Sequence, residues 1–122
     1  MLIYNHMVAH TDPAERTDQL FHALADATRR DIVRRSLISH HSVSELARLY
    51  PMSFAAVQKH VAVLERAGLV TKERTGREQR VRSNIESVRA AHRALDDLET
   101  VWRERIDRFG DVLTTTRKRA KP

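Results

Sequence analysis

The chain has 122 residues, of which 41% are apolar, so its length and composition fit one domain with a modest core. Its 22 Lys and Arg exceed its 16 Asp and Glu, and the net charge of +6 favours polyanionic partners, nucleic acid first. The lack of cysteine excludes disulfides and thiolate chemistry, and no stretch approaches the roughly 18 apolar residues of a membrane span. We therefore expect a cytoplasmic protein with no membrane partner.

Two helices are predicted after a flexible N-terminal arm, residues 1–12, in which apolar residues show no sustained period. The first helix has an apolar face formed by Leu20, Phe21, Leu24 and Ala25. Asp26 can cap the second helix, which covers about residues 27–38 and ends at the loop of residues 39–41. The predicted buried stripe of this helix consists of Ile32, Val33 and Leu37.

A short helix and a longer helix follow. Ser42 or Ser44 can open the short helix, which must stop just before Pro51 because proline restricts the residue that precedes it. Its buried side chains would be Val43, Leu46 and Ala47. Ser53 then caps the longer helix, which ends at residues 67–68. The inner face of that helix would consist of Val57, Val61 and Leu64.

The C-terminal part predicts a hairpin and one long helix. Two alternating segments, residues 69–75 and 79–84, flank Gly76, which can adopt a positive φ without cost. From Glu86 to about Thr115 no proline interrupts, and apolar residues recur every seven positions at Val88, Leu95, Trp102 and Phe109. The basic residues 116–122 are predicted to be a disordered tail, so the folded domain would span residues 13–115.

A short helix, a tight turn and a longer helix with a polar outer face let the longer helix enter a DNA major groove, with the basic hairpin as a wing. Gln58 is the predicted base reader for adenine, Lys59 neutralises phosphate, and Arg77 at the hairpin tip reaches a minor groove. Phe54 can touch a thymine methyl group, and His60 serves packing or a phosphate contact. The predicted DNA-binding set is Ser53, Phe54, Ala55, Gln58, Lys59, His60, Arg74, Arg77 and Arg80. The alternatives are that Phe54 packs in its own domain, that Gln58 is merely exposed, and that the hairpin is a solvated charged turn.

Three segments, FHALADATRRDIVRRSL, SVSELARLYPMSFAAVQKHVAVLERAGLV and TGREQRVR, resemble the ArsR family of winged-helix regulators over about residues 20–85. The resemblance implies a mainly α-helical winged helix-turn-helix fold with one small hairpin, in the order α-α-α-α-β-β-α. It also implies a homodimeric repressor that an effector releases from a palindromic operator. Dimerisation through the first and last helices is implied as well.

Three features depart from the common family pattern. Gln58 stands where a small serine is frequent, and Ala27 replaces a frequent proline at a helix start. The short helix of metal-sensing members carries a Cys-x-Cys-type site, whereas this chain has residues 44–48, SELAR, there. We therefore expect no metal sensing through thiolates and leave the identity of any effector open.

Other sites are weaker in the sequence. His92 and Asp96 share a helical face but are too few to hold a metal, and no nucleophile with an oriented base or glycine-rich phosphate cradle is present. We expect no enzyme activity and no cofactor. The apolar stripe of the last helix can be an intrachain core, a ligand pocket or a dimer seam, and the seam is favoured. The predicted dimer interface consists of Leu20, Leu95, Leu98, Trp102, Ile106 and Phe109.

Two functions follow from these expectations. A symmetric dimer would bind an inverted-repeat operator in double-stranded DNA and regulate transcription, by repression in the simplest case. The alternative is a winged helix that docks an acidic protein partner and binds DNA only feebly.

Overall fold

The computed structural model describes the chain over residues 12–120 and the side chains over residues 12–114. Apart from Asp12, which caps the first helix, the predicted N-terminal arm lies outside this range. Eight elements follow one another within it: α1 (Pro13–Leu24), α2 (Ala27–Ile38), β1 (His41–Ser42), α3 (Val43–Ala47), α4 (Phe54–Arg66), β2 (Val70–Thr75), β3 (Glu78–Ser83) and α5 (Ile85–Ala120). The mainly helical winged helix-turn-helix fold is confirmed.

Polar side chains begin the helices at the predicted places. Asp26 Oδ2 accepts a hydrogen bond of 3.0 Å from the backbone N–H of Arg29 at the start of α2. Ser42, rather than the alternative Ser44, caps α3 through a capping box with Glu45. Ser53 Oγ accepts a bond of 3.1 Å from the backbone N–H of Ala56 in α4. Each cap satisfies a backbone donor that the first helical turn leaves free.

The sheet has three strands in the order β1-β3-β2, so the hairpin is not its only part. His41 pairs with Val81 and Ser42 with Arg80, which corrects the prediction that His41 lies in a loop. The predicted hairpin of β2 and β3 is confirmed, and Gly76 at its tip has a φ of 62°. The wing is thereby attached to the start of α3 as well as to the end of α4.

The core lies where α1, α2, α3 and α4 meet the base of the hairpin. Its fully buried side chains include Ile32, Leu46, Val57, Val61, Leu64, Leu69, Val70 and Val81. Leu37 is 46% exposed, so its predicted place in the α2 stripe is wrong, and Ser36 is buried in its place at 5%. Ser83 Oγ of β3 donates to the backbone oxygen of Val33 over 2.9 Å, which brings β3 against this face of α2.

One junction joins the end of α4, the start of the hairpin and the start of α5. Gly68 has a φ of 77° and reverses the chain after α4. Its backbone oxygen accepts hydrogen bonds from Ser87 Oγ at 2.6 Å and from Asn84 Nδ2 at 3.3 Å. The backbone N–H of Asn84 donates to the oxygen of Leu69 at 2.9 Å. Hydrogen bonds to the backbone oxygens of Gly68 and Leu69 therefore hold the end of α4, the start of the hairpin and the start of α5 together.

The chain divides after Ala91 into two compact units. The first holds the core and the sheet, and the second is the remainder of α5. This helix continues to Ala120, past the predicted limit near Thr115, and the tail residues 121 and 122 lie outside the described range. None of the described helices is both long enough and apolar enough to cross a membrane.

Candidate nucleic-acid interface

A small polar network fixes the turn that precedes α4. The Tyr50 hydroxyl donates to Asp31 Oδ2 over 2.6 Å, and Arg35 Nε donates to the same oxygen over 2.8 Å. The Arg35 guanidinium carbon lies 6.0 Å from the centroid of the Tyr50 ring. Both bonds, that of Tyr50 first, hold the pKa of Asp31 below its ordinary value, and burial raises the pKa of Tyr50 to about 12. The turn is thereby anchored to α2, and α4 starts from a fixed point.

The α4 helix has a buried face and a polar or exposed one. Val57, Val61 and Leu64 are fully buried against the core, as predicted. Five predicted contact residues are exposed on its N-terminal half: Ser53, Phe54, Ala55, Gln58 and Lys59. Burial of the inner face fixes which residues of α4 point outwards, because side chains three and four positions apart share a helical face.

His60 is turned towards α2 and is not on the exposed face. Its Nδ1 lies 3.3 Å from Arg29 Nη1 and 3.9 Å from Asp26 Oδ2. Arg29 Nε donates to the backbone oxygen of Ala23 over 2.7 Å, and its Nη2 donates to the oxygen of His22 over 3.0 Å. Arg29 thus joins α1, α2 and α4, and His60 belongs to this internal contact. This contact matches the packing role that was one of the two alternatives for His60, and its place in the DNA-binding set stays a prediction.

A surface groove of about 170 Å³ brings α4 and the hairpin tip together. Phe54 and Gln58 line it from α4, and Arg77 lines it from the tip. Its remaining lining residues are Ser42, Val43, Ser44, Glu78 and Gln79. Ser44 and Gln79 are two groove residues that the sequence reasoning missed. Gln79 could have been predicted from the hairpin, because it pairs with Arg74 and paired residues lie on the same face of a sheet.

Arg74 and Arg80 lie on opposite faces of the hairpin. Arg74 pairs with Gln79, and Arg80 pairs with Glu73 in the adjacent register position. Paired residues share a face of a sheet and successive residues alternate between faces, so the two arginines point apart. Arg80 Nη2 also lies 3.4 Å from Glu78 Oε2. Arg74 and Arg80 therefore cannot contact the DNA backbone from the same face of the wing.

The charge of the exposed face comes from a few arginines and lysines. Lys72 lies 3.5 Å from Glu65 and Arg82 lies 2.9 Å from Glu73, so these two cations are partly neutralised. Lys59 and Arg77 are exposed and form no ion pair with any residue between 12 and 114. Exposed cations without an acidic partner are suited to phosphate oxygens, and Arg77 also lines the groove.

The predicted interface residues fall into two groups. Leu20 is 6% exposed and belongs to the core, so it is corrected from an interface residue to a core residue. The other five lie on α5 in the second unit and are between 49% and 69% exposed: Leu95, Leu98, Trp102, Ile106 and Phe109.

No group of three or more histidine and acidic side chains within the described range is placed to hold a metal ion.

No family model matches the chain, but individual proteins do. The HTH-type transcriptional regulator Rv2034 of Mycobacterium tuberculosis is 36% identical over 96 residues, which are 79% of this chain and 87% of the relative. The solved structure of an ArsR family transcriptional regulator, RHA00566, is 30% identical with a TM-score of 0.69 over 74% of this chain and 93% of its own.

A third similar protein supports the fold alone. The homodimeric winged helix-turn-helix DNA-binding domain of Mb0332 from Mycobacterium bovis is 20% identical, with a TM-score of 0.59 over 70% of this chain and 81% of its own. Three observations indicate the same family: the winged helix-turn-helix fold, the exposed face of α4 and the two regulators of higher sequence identity. The chain belongs to the ArsR family of winged helix-turn-helix transcriptional regulators, which bind DNA.

Proposed function

We propose that this regulator is a homodimeric repressor that binds an inverted-repeat operator, with α4 in the major groove and the hairpin tip in the adjacent minor groove. The observation that carries the proposal is the groove in which Phe54 and Gln58 of α4 lie beside Arg77 of the wing. Base-reading and phosphate-binding groups thus share one surface, as a winged helix on DNA requires.

Each exposed residue of this surface has a role that follows from its chemistry. The Gln58 amide can donate to and accept from an adenine edge, and the Phe54 ring can contact a thymine methyl group. Lys59 and Arg77 pair with none of the described acidic side chains and offer their charges to phosphate oxygens and to the negative potential of a narrow minor groove. Ser53 and Ala55 are small and let the backbone of α4 approach the DNA. Arg74 is left to contact the backbone beside the wing.

The proposed dimer rests on the apolar side chains of α5. This helix has 36 residues and is about 54 Å long at about 1.5 Å per residue. Five of its large apolar side chains, from Leu95 to Phe109, are about half exposed or more, and such a contiguous patch favours a partner. The homodimeric domain of Mb0332 is a precedent for a second copy as that partner. Two-fold symmetry then requires half-sites about one DNA turn apart, or a multiple of it.

Salt-dependent binding to DNA tests the proposed surface. Bound genomic fragments are first footprinted to obtain the operator, and affinity is then measured for operator and random duplexes at several salt concentrations. Lys59→Ala and Arg77→Ala should weaken binding to both duplexes and reduce the salt slope by about one each. Gln58→Ala should mainly weaken operator binding, by about 1–3 kcal/mol. Arg93→Ala, an exposed arginine on α5, is the charge-matched control and should change neither.

Two results would contradict the proposal. Negligible binding of random duplex at low salt would favour a module that docks an acidic protein. If light scattering gives the mass of a single chain, the protein is not a dimer, and the proposal of a symmetric inverted-repeat operator is contradicted. If the dimer exists, Leu98→Glu should dissociate it while the urea unfolding midpoint of the first unit stays close to wild type, because Leu98 is 69% exposed.

A further inference from the structure

The second unit carries a groove on the C-terminal half of α5. It is an open surface depression of about 500 Å³ that is lined by this one helix. Four apolar residues and two arginines line it: Trp102, Ile106, Phe109, Val112, Arg105 and Arg108. An aromatic and aliphatic surface bounded by guanidinium groups has the chemistry of a site for a molecule with an apolar body and an anionic head.

Arg105 is out of place in a surface that only meets a second copy. It follows Leu98 by seven residues and precedes Val112 by seven, so it occupies a core position of the heptad pattern of α5. A charge at such a position is costly to cover unless an opposite charge or a hydrogen-bond acceptor accompanies it. Arg105 forms no ion pair with the described side chains of residues 12–114.

The acidic residues of α5 do not supply this partner within the helix. Glu99 already pairs with Arg103, and Glu86 pairs with Arg89. Asp107 and Asp111 lie two and six residues after Arg105, which at 3.6 residues per turn places them away from its face. The remaining acidic residues of α5 form no ion pair with Arg105 either: Asp96, Asp97 and Glu104. An external anion satisfies both the charge and the apolar lining.

We infer that α5 binds an amphiphilic carboxylate, whose apolar chain lies on Trp102, Ile106 and Phe109 and whose head group pairs with Arg105, with Arg108 at the edge. The inference deepens the proposed function, since it assigns a ligand class to the seam through which the dimer would form. The carboxylate accepts two hydrogen bonds from one guanidinium, a geometry that lysine and neutral side chains do not offer.

Trp102 is the only tryptophan of the chain and lines the groove, so its emission reports binding directly. The full-length protein is titrated with decanoate, decanol and decylamine, each below its micelle concentration. Decanoate should shift and change Trp102 emission with saturation, at about tenfold lower concentration than decanol, and decylamine should be weakest. Arg105→Gln should remove the preference for decanoate over decanol. Arg93→Gln, on the opposite face of α5, should keep it.

The inference is overturned if the three compounds act alike, if decanoate leaves the emission unchanged, or if Arg105→Gln keeps the full preference. Light scattering on the same samples separates this failure from failure of the dimer. A dimer without an Arg105-dependent response refutes the ligand site alone, whereas a monomer with that response refutes the seam and keeps the site.

Discussion

Replacing Tyr50 with phenylalanine tests whether one hydroxyl group holds the turn ahead of α4. The change removes the bond of 2.6 Å to Asp31 and leaves the ring beside Arg35. Hydrogen bonds to charged groups contribute about 1.5–3 kcal/mol, and since 33% of the Asp31 side chain is exposed we expect a loss of about 1 kcal/mol in unfolding free energy. For a domain of this size that lowers the Tm by about 4–8 °C.

The loss should depend on pH in a defined direction. The hydroxyl of Tyr50 is the main cause that lowers the pKa of Asp31 from its ordinary value of 3.8. A carboxyl whose pKa is lower in the folded state stabilises the fold above its unfolded pKa, and this contribution disappears as the pH falls through the folded value. Tyr50→Phe returns the pKa of Asp31 towards the ordinary value. The difference between the two proteins should therefore be largest near neutral pH and shrink below about pH 4.

Urea unfolding of the wild type, Tyr50→Phe, Asp31→Asn and the double variant, near pH 7 and near pH 3, measures both effects. The double variant should lose less than the sum of the single losses, because both changes remove the same bond. Operator affinity, measured in parallel, should fall for Tyr50→Phe if the turn positions α4. Additive losses, or an equal difference between wild type and Tyr50→Phe at both pH values, would refute the assigned network.

Three further outcomes follow from the structure. Gly68→Ala and Gly76→Ala should each lose about 1–2 kcal/mol of unfolding free energy in urea, because both glycines have a positive φ and an added Cβ meets no atom closer than Ser87 Oγ, at 3.4 Å from position 68. A loss well below 1 kcal/mol at either position would contradict this. Leu64→Ala should lose about 2–5 kcal/mol, because Leu64 is fully buried, whereas Leu37→Ala should lose well under half of that. Tyrosinate absorbance should include a component near pH 12 that Tyr50→Phe removes, and stability should fall as the pH rises from 10 towards 12, because the neutral hydroxyl is the favoured form in the fold. If the component that the substitution removes titrates near pH 10, the hydroxyl of Tyr50 is not held in its neutral form.

Local signals were sufficient for the helix starts and the hairpin. Asp26, Ser42 and Ser53 cap their helices through bonds to backbone N–H groups only two or three residues away, and Gly76 lies at a turn whose φ excludes most side chains. Such interactions are contained within a few residues, so the sequence alone predicts them. The inner face of α4 was equally predictable, because its apolar residues follow the helical period.

Features that depend on distant contacts were not predictable. β1 has only two residues, and its strand geometry exists because β3 lies beside it. Ser36 is buried and Leu37 exposed because β3 packs on that side of α2, which Ser83 contacts at the Val33 oxygen. His60 lies at the edge of the buried face of α4 on a helical wheel, so the sequence left packing and a phosphate contact both open. In the structure Arg29 and Asp26, at the start of α2, lie beside it and favour packing. Tertiary context decides these positions, and the periodicity of one element does not contain it.

The junction at Gly68 has a mechanical consequence. The backbone oxygen of Gly68 accepts hydrogen bonds from Ser87 Oγ and Asn84 Nδ2 at the start of α5. The next residue, Leu69, accepts from the backbone N–H of Asn84 and leads into β2. A tilt of the first turn of α5 must therefore either lengthen the bonds of 2.6 and 3.3 Å or move the end of α4 with it. Such a tilt acts on α4 and on the hairpin at the same time, and these are the two parts proposed to contact DNA.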